Sequence, residues 1–143
     1  LVIRRLSLPM DAVEQQFRRM VFNIVARNQD DHVKNIAFLM DKQGEWSLAP
    51  AFDVTYSYNP SGAWTATHQM TLNGKRDSFV REDFEACAKA ALMKRGRAAK
   101  IIEEVQAAVQ RWPEFAAAAR LGDELRDKIQ KTHRLSFGGR KAS

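Results

Sequence analysis

The sequence predicts a mainly α (α+β) domain, a helical body that carries one small β-hairpin. Three observations predict it. Apolar residues recur at helical spacing before residue 26 and again after residue 81. A single pair of short apolar runs, residues 36–40 and Trp46–Leu48, flanks a turn containing Gly44. Between the helical stretches, residues 54–78 are rich in Ser, Thr, Tyr, Asn, Gly and Pro and show neither period.

Residues 1–8 commit to no element. Pro9 and Asp11 then supply a helix start, because proline suits the first turn and an early acid complements the helix dipole. Val13, Phe17, Met20, Val21, Ile24 and Val25 place an amphipathic helix over about 10–26. Residues 41–45 form the hairpin turn, and Pro50 closes the hairpin because it cannot donate to a ladder. The long loop that follows has turn signals at Asn59-Pro60-Ser61-Gly62 and Asn73-Gly74. Phe84, Cys87, Ala88, Ala91 and Leu92 predict a helix ended by Gly96. A second runs from Ala98 through Ile101, Ile102, Val105 and Val109 to Trp112, ended by Pro113. A third spans about 115–129 with an interruption at Gly122, and residues 136–143 read as a frayed basic tail.

At 143 residues the chain is one domain by size, long enough for a hydrophobic core. Its 45% hydrophobic and 28% charged residues suit a soluble globular protein. No apolar run reaches the length of a membrane span, and the N-terminus lacks a signal pattern. The lone Cys87 cannot form an internal disulfide and reads as a buried free thiol in the reducing cytoplasm. Because it begins with Leu, the chain reads as a piece of something longer. The net charge of +6 permits an acidic partner, but its charges are scattered over helix faces and the tail. A basic nucleic-acid binder is therefore the weaker use of that charge, and no helix-turn-helix pattern supports it.

The chemistry gathers in residues 23–54. Asp30, Asp31, His32, Lys34 and Asn35 share one short loop, and Asp53 returns after the hairpin. Asn35 follows Asp30 at the D-x-x-x-x-N spacing of a kinase catalytic loop, whose Asp orients the attacking hydroxyl and whose Asn holds a metal. Asp53, led in by the second strand, occupies the place of a second metal ligand. The order of the parts reads as the catalytic floor of a phosphotransferase. Asn35 and Asp53 offer hard oxygens suited to Mg²⁺, and His32 and Lys34 are within reach of phosphate oxygens. Adjacent loop side chains point apart, so Asp30 and Asp31 are read as having different jobs. Each part also has a plainer reading: a helix cap or ion-pair cluster for Asp-Asp-His, and a turn residue for Asp53. A metal-only site of Asp30, His32 and Asp53 fits as well. His68 and His133 lie in other segments without ligand-like neighbours, which argues against zinc.

The stretch Asn28-Gln29-Asp30-Asp31-His32-Val33-Lys34-Asn35, with Leu48-Ala49-Pro50-Ala51-Phe52-Asp53-Val54 after it, resembles the signature of HipA-type serine/threonine kinases. These are the toxins of bacterial HipBA toxin–antitoxin pairs. Met70-Thr71-Leu72-Asn73-Gly74 and the helical remainder extend the resemblance. It implies a kinase-like C-terminal lobe using ATP and Mg²⁺, with Asp30 as catalytic base and Asn35 and Asp53 as the metal pair. It places His32 near the nucleotide and Phe52 where an aromatic residue precedes the metal Asp, and with Lys34, read above as a phosphate contact, these are the cofactor-binding candidates. It implies a protein serine or threonine as acceptor, with aminoacyl-tRNA synthetases as the expected targets. Its helix-turn-helix antitoxin would bind this chain and carry the DNA contact, leaving the kinase to touch DNA only indirectly.

The departures from that family are as informative. Only 29 residues precede Asp30, too few for a phosphate loop and a strand lysine, so the N-terminal nucleotide lobe is expected outside this chain. On this reading residues 23–54 are the catalytic loop and hairpin, 55–80 a mobile loop, 81–135 a helical bundle and 136–143 the tail. A non-catalytic module that binds an antitoxin or a partner lobe is the alternative, and a small-molecule kinase is a further one. Retention of Asp30, Asn35 and Asp53 together favours chemistry.

Overall fold

The computed structural model describes residues 1–138. Six α-helices and a two-stranded antiparallel sheet follow in the order α1 (Val2–Arg5), α2 (Met10–Val25), β1 (Phe38–Met40), β2 (Trp46–Leu48), α3 (Arg81–Ala90), α4 (Arg97–Gln110), α5 (Trp112–Ala118) and α6 (Asp123–Gln130). The mainly helical architecture with one hairpin is the one the sequence predicts.

The core forms where α2 packs on α4. Phe17, Val21, Ile24 and Val25 face Ile101, Ile102, Val105 and Val109, and Phe84 and Ala88 of α3 complete the contact. Each such side chain, taken fully out of water, contributes about 1.5–3 kcal/mol before ordering costs. Leu72 and Phe79 from the long loop join the same core. At its edge, ion pairs tie α2 to α4 at Arg18–Glu104 (2.6 Å) and Arg97–Glu14 (2.7 Å).

The hairpin pairs Phe38 with Leu48, Leu39 with Ser47 and Met40 with Trp46. Its turn is organised by Asp41, whose Oδ1 accepts the N–H groups of Gln43 and Glu45, both at 2.9 Å. Its task is geometric: it carries the chain away after Asn35 and returns it at Asp53. In the long loop, Asn73 (φ 50°) and Gly74 (φ 79°) make the expected turn, closed by a Leu72–Lys75 bridge. Asp83 fastens that turn to α3. Its buried carboxylate accepts from Lys75 Nζ (2.8 Å), Asn73 Nδ2 (2.9 Å) and the N–H of Val80 (2.9 Å), which starts the helix.

Helix ends depart from the sequence reading. Residues 1–8 contain α1. The helix predicted to run to Gly96 stops at Ala90, and Gly96 instead precedes α4 as its N-cap. Pro113 does not end a helix; it sits in the first turn of α5, where a missing N–H costs nothing. The interruption expected at Gly122 is present and divides the third predicted stretch into α5 and α6, with Arg120 also in the break. The common cause is how these helices stop. Ser7, Arg27, Leu92 and Arg120 adopt left-handed conformations with φ of 55°, 62°, 55° and 56° after α1, α2, α3 and α5. In each case the following N–H reaches back to a carbonyl in the last turn: Leu8 to Ile3, Asn28 to Asn23, Met93 to Ala88 and Leu121 to Ala116.

Cys87 is half-buried and unpaired, and burial pushes its thiol up, away from the reactive thiolate. Phe137, expected in the tail, tilts against Phe84 with ring centroids 4.6 Å apart. Residues 139–143 of the predicted tail lie outside the described residues. Among the described residues no helix is long and apolar enough to cross a membrane.

Two outcomes follow. Leu92 is exposed and left-handed, so Leu92→Gly relieves a cost of about 1–2 kcal/mol and adds back a smaller chain-entropy cost. Chemical denaturation should show a net gain of about 0.5–1 kcal/mol; a loss would mean the leucine side chain packs more than its exposure implies. Burial opposes ionisation of Asp83 more than any other single influence. The hydrogen bonds from Lys75, Val80 and Asn73 together outweigh it and hold the carboxyl below its ordinary 3.8. A carboxyl depressed on folding stabilises the fold above its ordinary value, and that contribution disappears as pH falls through the folded value. Melting temperature should therefore drop as pH falls below 3.8, and Asp83→Asn should flatten that dependence while lowering stability near neutrality.

Candidate active site

The C-terminus of α2 sets the position of the loop that carries Asp30 to Asn35. Arg27 turns the chain in its left-handed conformation, and its side chain fixes the exit. Nε donates to the carbonyl of Thr132 (2.7 Å), Nη1 donates to Gln29 Oε1 (3.0 Å), and the guanidinium stacks 4.3 Å over Tyr58. The next two peptides are held by one hydroxyl: the N–H groups of Gln29 and Asp30 both donate to Ser57 Oγ, at 2.8 and 2.9 Å. Gln29 is fully buried and reaches across to the carbonyl of Thr65 (2.9 Å).

Asp30, Asn35 and Asp53 come together as the sequence spacing suggests. Residues Val33–Asn35 form a 3₁₀ turn that brings Asn35 back over the start of the loop. Its Nδ2 donates to the backbone carbonyl of Asp30 (3.2 Å) and to Asp53 Oδ2 (2.9 Å). Both partners are acceptors, so the amide nitrogen must face them and Asn35 Oδ1 faces the other way. Asp53 is left-handed (φ 52°), and its carbonyl accepts from Asn28 Nδ2 at 3.4 Å. The carboxylate of half-buried Asp30 makes no hydrogen bond within the described residues, although both backbone groups around it are engaged. Lys34 and Phe52 are exposed, and His32 is half-buried with an Nδ1 that has no partner. The metal-only alternative does not form. Among the described residues no three His, Cys, Asp or Glu side chains converge, so Asp30, His32 and Asp53 make no ligand cluster.

Asp31 points elsewhere, as expected of the neighbour of Asp30, and finds a partner the sequence reading missed. Its Oδ2 lies 2.9 Å from His68 Nδ1, and its Oδ1 accepts the N–H of Gln69 at 2.8 Å. Asp31 and His68 are 6% and 1% exposed. The histidine read as lacking ligand-like neighbours thus faces a carboxylate. The sequence reading gives Ser57 and Arg134 no place and His68 no partner, since their partners are distant in sequence.

A model of the HipA-like C-terminal domain matches residues 1–112, well over half the chain. This chain belongs to the HipA-like C-terminal domain family. No individual curated protein matches it.

In this HipA-like domain a groove of about 700 Å³ opens beside the loop, with Asn28, Asp31, His32, Asn35, Phe52 and Asp53 among its walls. That volume falls within the range of small-molecule sites. Asp30 and Lys34 lie outside its lining. A second cavity of about 400 Å³ sits behind Val54 and Tyr56, walled by Phe22, Val109, Trp112 and Ile129. It holds none of Asp31, Asn35 and Asp53, all of which line the larger groove. The HipA-like loop depends on Ser57: Ser57→Ala leaves the N–H groups of Gln29 and Asp30 without an acceptor. Denaturation should show a loss of about 1–3 kcal/mol; an unchanged midpoint would mean water replaces the hydroxyl fully.

Proposed function

We propose that this HipA-like domain is the catalytic-loop lobe of a serine/threonine protein kinase. The observation that carries the reading is the Asn35 amide. It bridges the Asp30 carbonyl and the Asp53 carboxylate, and so leaves the Asp30 carboxylate and the outer oxygens of Asn35 and Asp53 unspent. Those unspent groups are the ones phosphoryl transfer uses.

The donor set fits magnesium: one amide and one carboxylate oxygen, with room beside them for phosphate oxygens and water. Bound ATP with Mg²⁺ would supply the phosphoryl group and the charge that neutralises it. Asp30 would accept a hydrogen bond from the attacking hydroxyl and orient it, taking the proton late in the transfer. Its backbone is held on both sides by Ser57 and Asn35, so the carboxylate is aimed by main-chain bonds. Asn35 and Asp53 would hold the metal, once the Asn35 amide, whose nitrogen now meets Asp53 Oδ2, turns its oxygen to that side. His32, with its unpartnered Nδ1, and the exposed Phe52 flank the groove where the nucleotide would lie. Lys34, exposed on the loop, is available to phosphate oxygens.

The family resemblance supplies the finer reading. The acceptor would be a protein hydroxyl, with an aminoacyl-tRNA synthetase the expected target, in the cytoplasm. A helix-turn-helix antitoxin would bind the kinase and carry its contact with DNA.

Transfer of labelled γ-phosphate from ATP, measured on the full-length gene product beside this chain, tests the reading. Asp30→Ala and Asp53→Ala should each lower turnover by on the order of 10²–10⁴-fold without changing the fold. This chain alone should transfer negligibly. Near-normal turnover in either variant would remove that residue from the mechanism. A full-length protein with no transfer to any protein acceptor would favour a partner-binding module.

A further inference from the structure

We propose that His68 and Arg134 are positioning residues that hold the catalytic loop through Asp31. The structural claim stands on the geometry, and its catalytic consequence rests on the kinase reading above.

The hydrogen-bond chain has only one possible sense. A guanidinium can only donate, and Arg134 Nη1 lies 2.9 Å from His68 Nε2, so Nε2 must accept. The ring proton then sits on Nδ1 and is donated to Asp31 Oδ2. Asp31 in turn uses Oδ1 to accept the N–H of Gln69 at 2.8 Å and that of Met70 at 3.4 Å. Asp31 and Asp30 share a peptide, so a backbone rotation that carries Asp31 away from His68 also moves the carbonyl that Asn35 grips.

Arg134 is itself located from several directions. Its backbone N–H donates to the carbonyl of Val25 (2.9 Å), and Nη1 also reaches the carbonyl of Ile24 (3.3 Å). Nη2 pairs with Asp77, and the guanidinium lies 5.5 Å over the Phe79 ring. The same ring meets His68 edge-on at 5.5 Å. Arg134 therefore joins the end of α2, the long loop and the catalytic loop in one place. It follows α6, beyond the residues that match the family model. The segment after α6 thus supplies the last member of the chain that orients Asp31.

The test uses the full-length protein with Arg134→Met, His68→Leu and His68→Asn, the last keeping an N–H where Nδ1 stood. Arg134→Met and His68→Leu should lower kcat about 10–100-fold. KM for ATP should stay within about twofold. His68→Asn should restore most of kcat. Hydrogen exchange should show the Gln69 amide opening more than about tenfold faster in Arg134→Met, with the Val105 amide in the α4 core unchanged. The proposal is overturned if Gln69 exchange and kcat match the wild type. Equal acceleration at Gln69 and Val105 also overturns it, because that is global destabilisation. So does His68→Asn if it is as impaired as His68→Leu. If the wild-type protein transfers no phosphate, the kinase reading fails, and the exchange result alone decides whether Arg134 orders the loop.

Discussion

A carboxylate withdrawn from water has to be matched by donors, or the fold must bear the cost of an uncompensated charge. Asp31 is in that position, and the way it is matched organises the surroundings of the site. Its donors come from the long loop through His68, Gln69 and Met70, and the histidine is in turn held by Arg134 from the far end of the chain. The result is a buried polar layer beneath an exposed chemical row. Consecutive residues divide the work: Asp31 turns inward and anchors, while Asp30 keeps its carboxylate available. Ser57 fixes the peptides between α2 and this pair, so the loop is held mostly by main-chain and buried bonds.

Much of this was legible because it is local. The apolar period gave α2 its bounds to within a residue. Gly44 and the flanking apolar runs placed the hairpin, and Asn73-Gly74 placed the turn in the long loop. The trio Asp30, Asn35 and Asp53 could be paired across the hairpin because one spacing is short and the other is bridged by a hairpin of readable length. Helix termini were harder to read. Glycine was taken as the stop signal, yet Ser7, Arg27, Leu92 and Arg120 perform the left-handed reversal, and Gly96 and Gly122 stand at helix starts. Pro113 misled for the same reason, since proline suits a first turn as well as a break.

The support of the site was not legible, and the physical reason is separation along the chain. His68 lies in a stretch with no period, and nothing near it in sequence suggests a buried carboxylate partner. Arg134 sits among scattered basic residues that look alike until the fold selects one. The metal-only combination of Asp30, His32 and Asp53 was plausible by residue type alone. It fails because, among the described residues, those three side chains do not converge.

The placement of Arg134 has a consequence in time. It contacts the end of α2 across 110 positions of sequence. A ribosome adding roughly 5–20 residues per second needs on the order of ten seconds to make that interval. From Asp53 onward, the nascent chain carries Asp30, Asn35 and Asp53 but not the arginine that closes the layer beneath them. Ordering of the loop is thereby deferred until after the core helices α2 and α4 have been made.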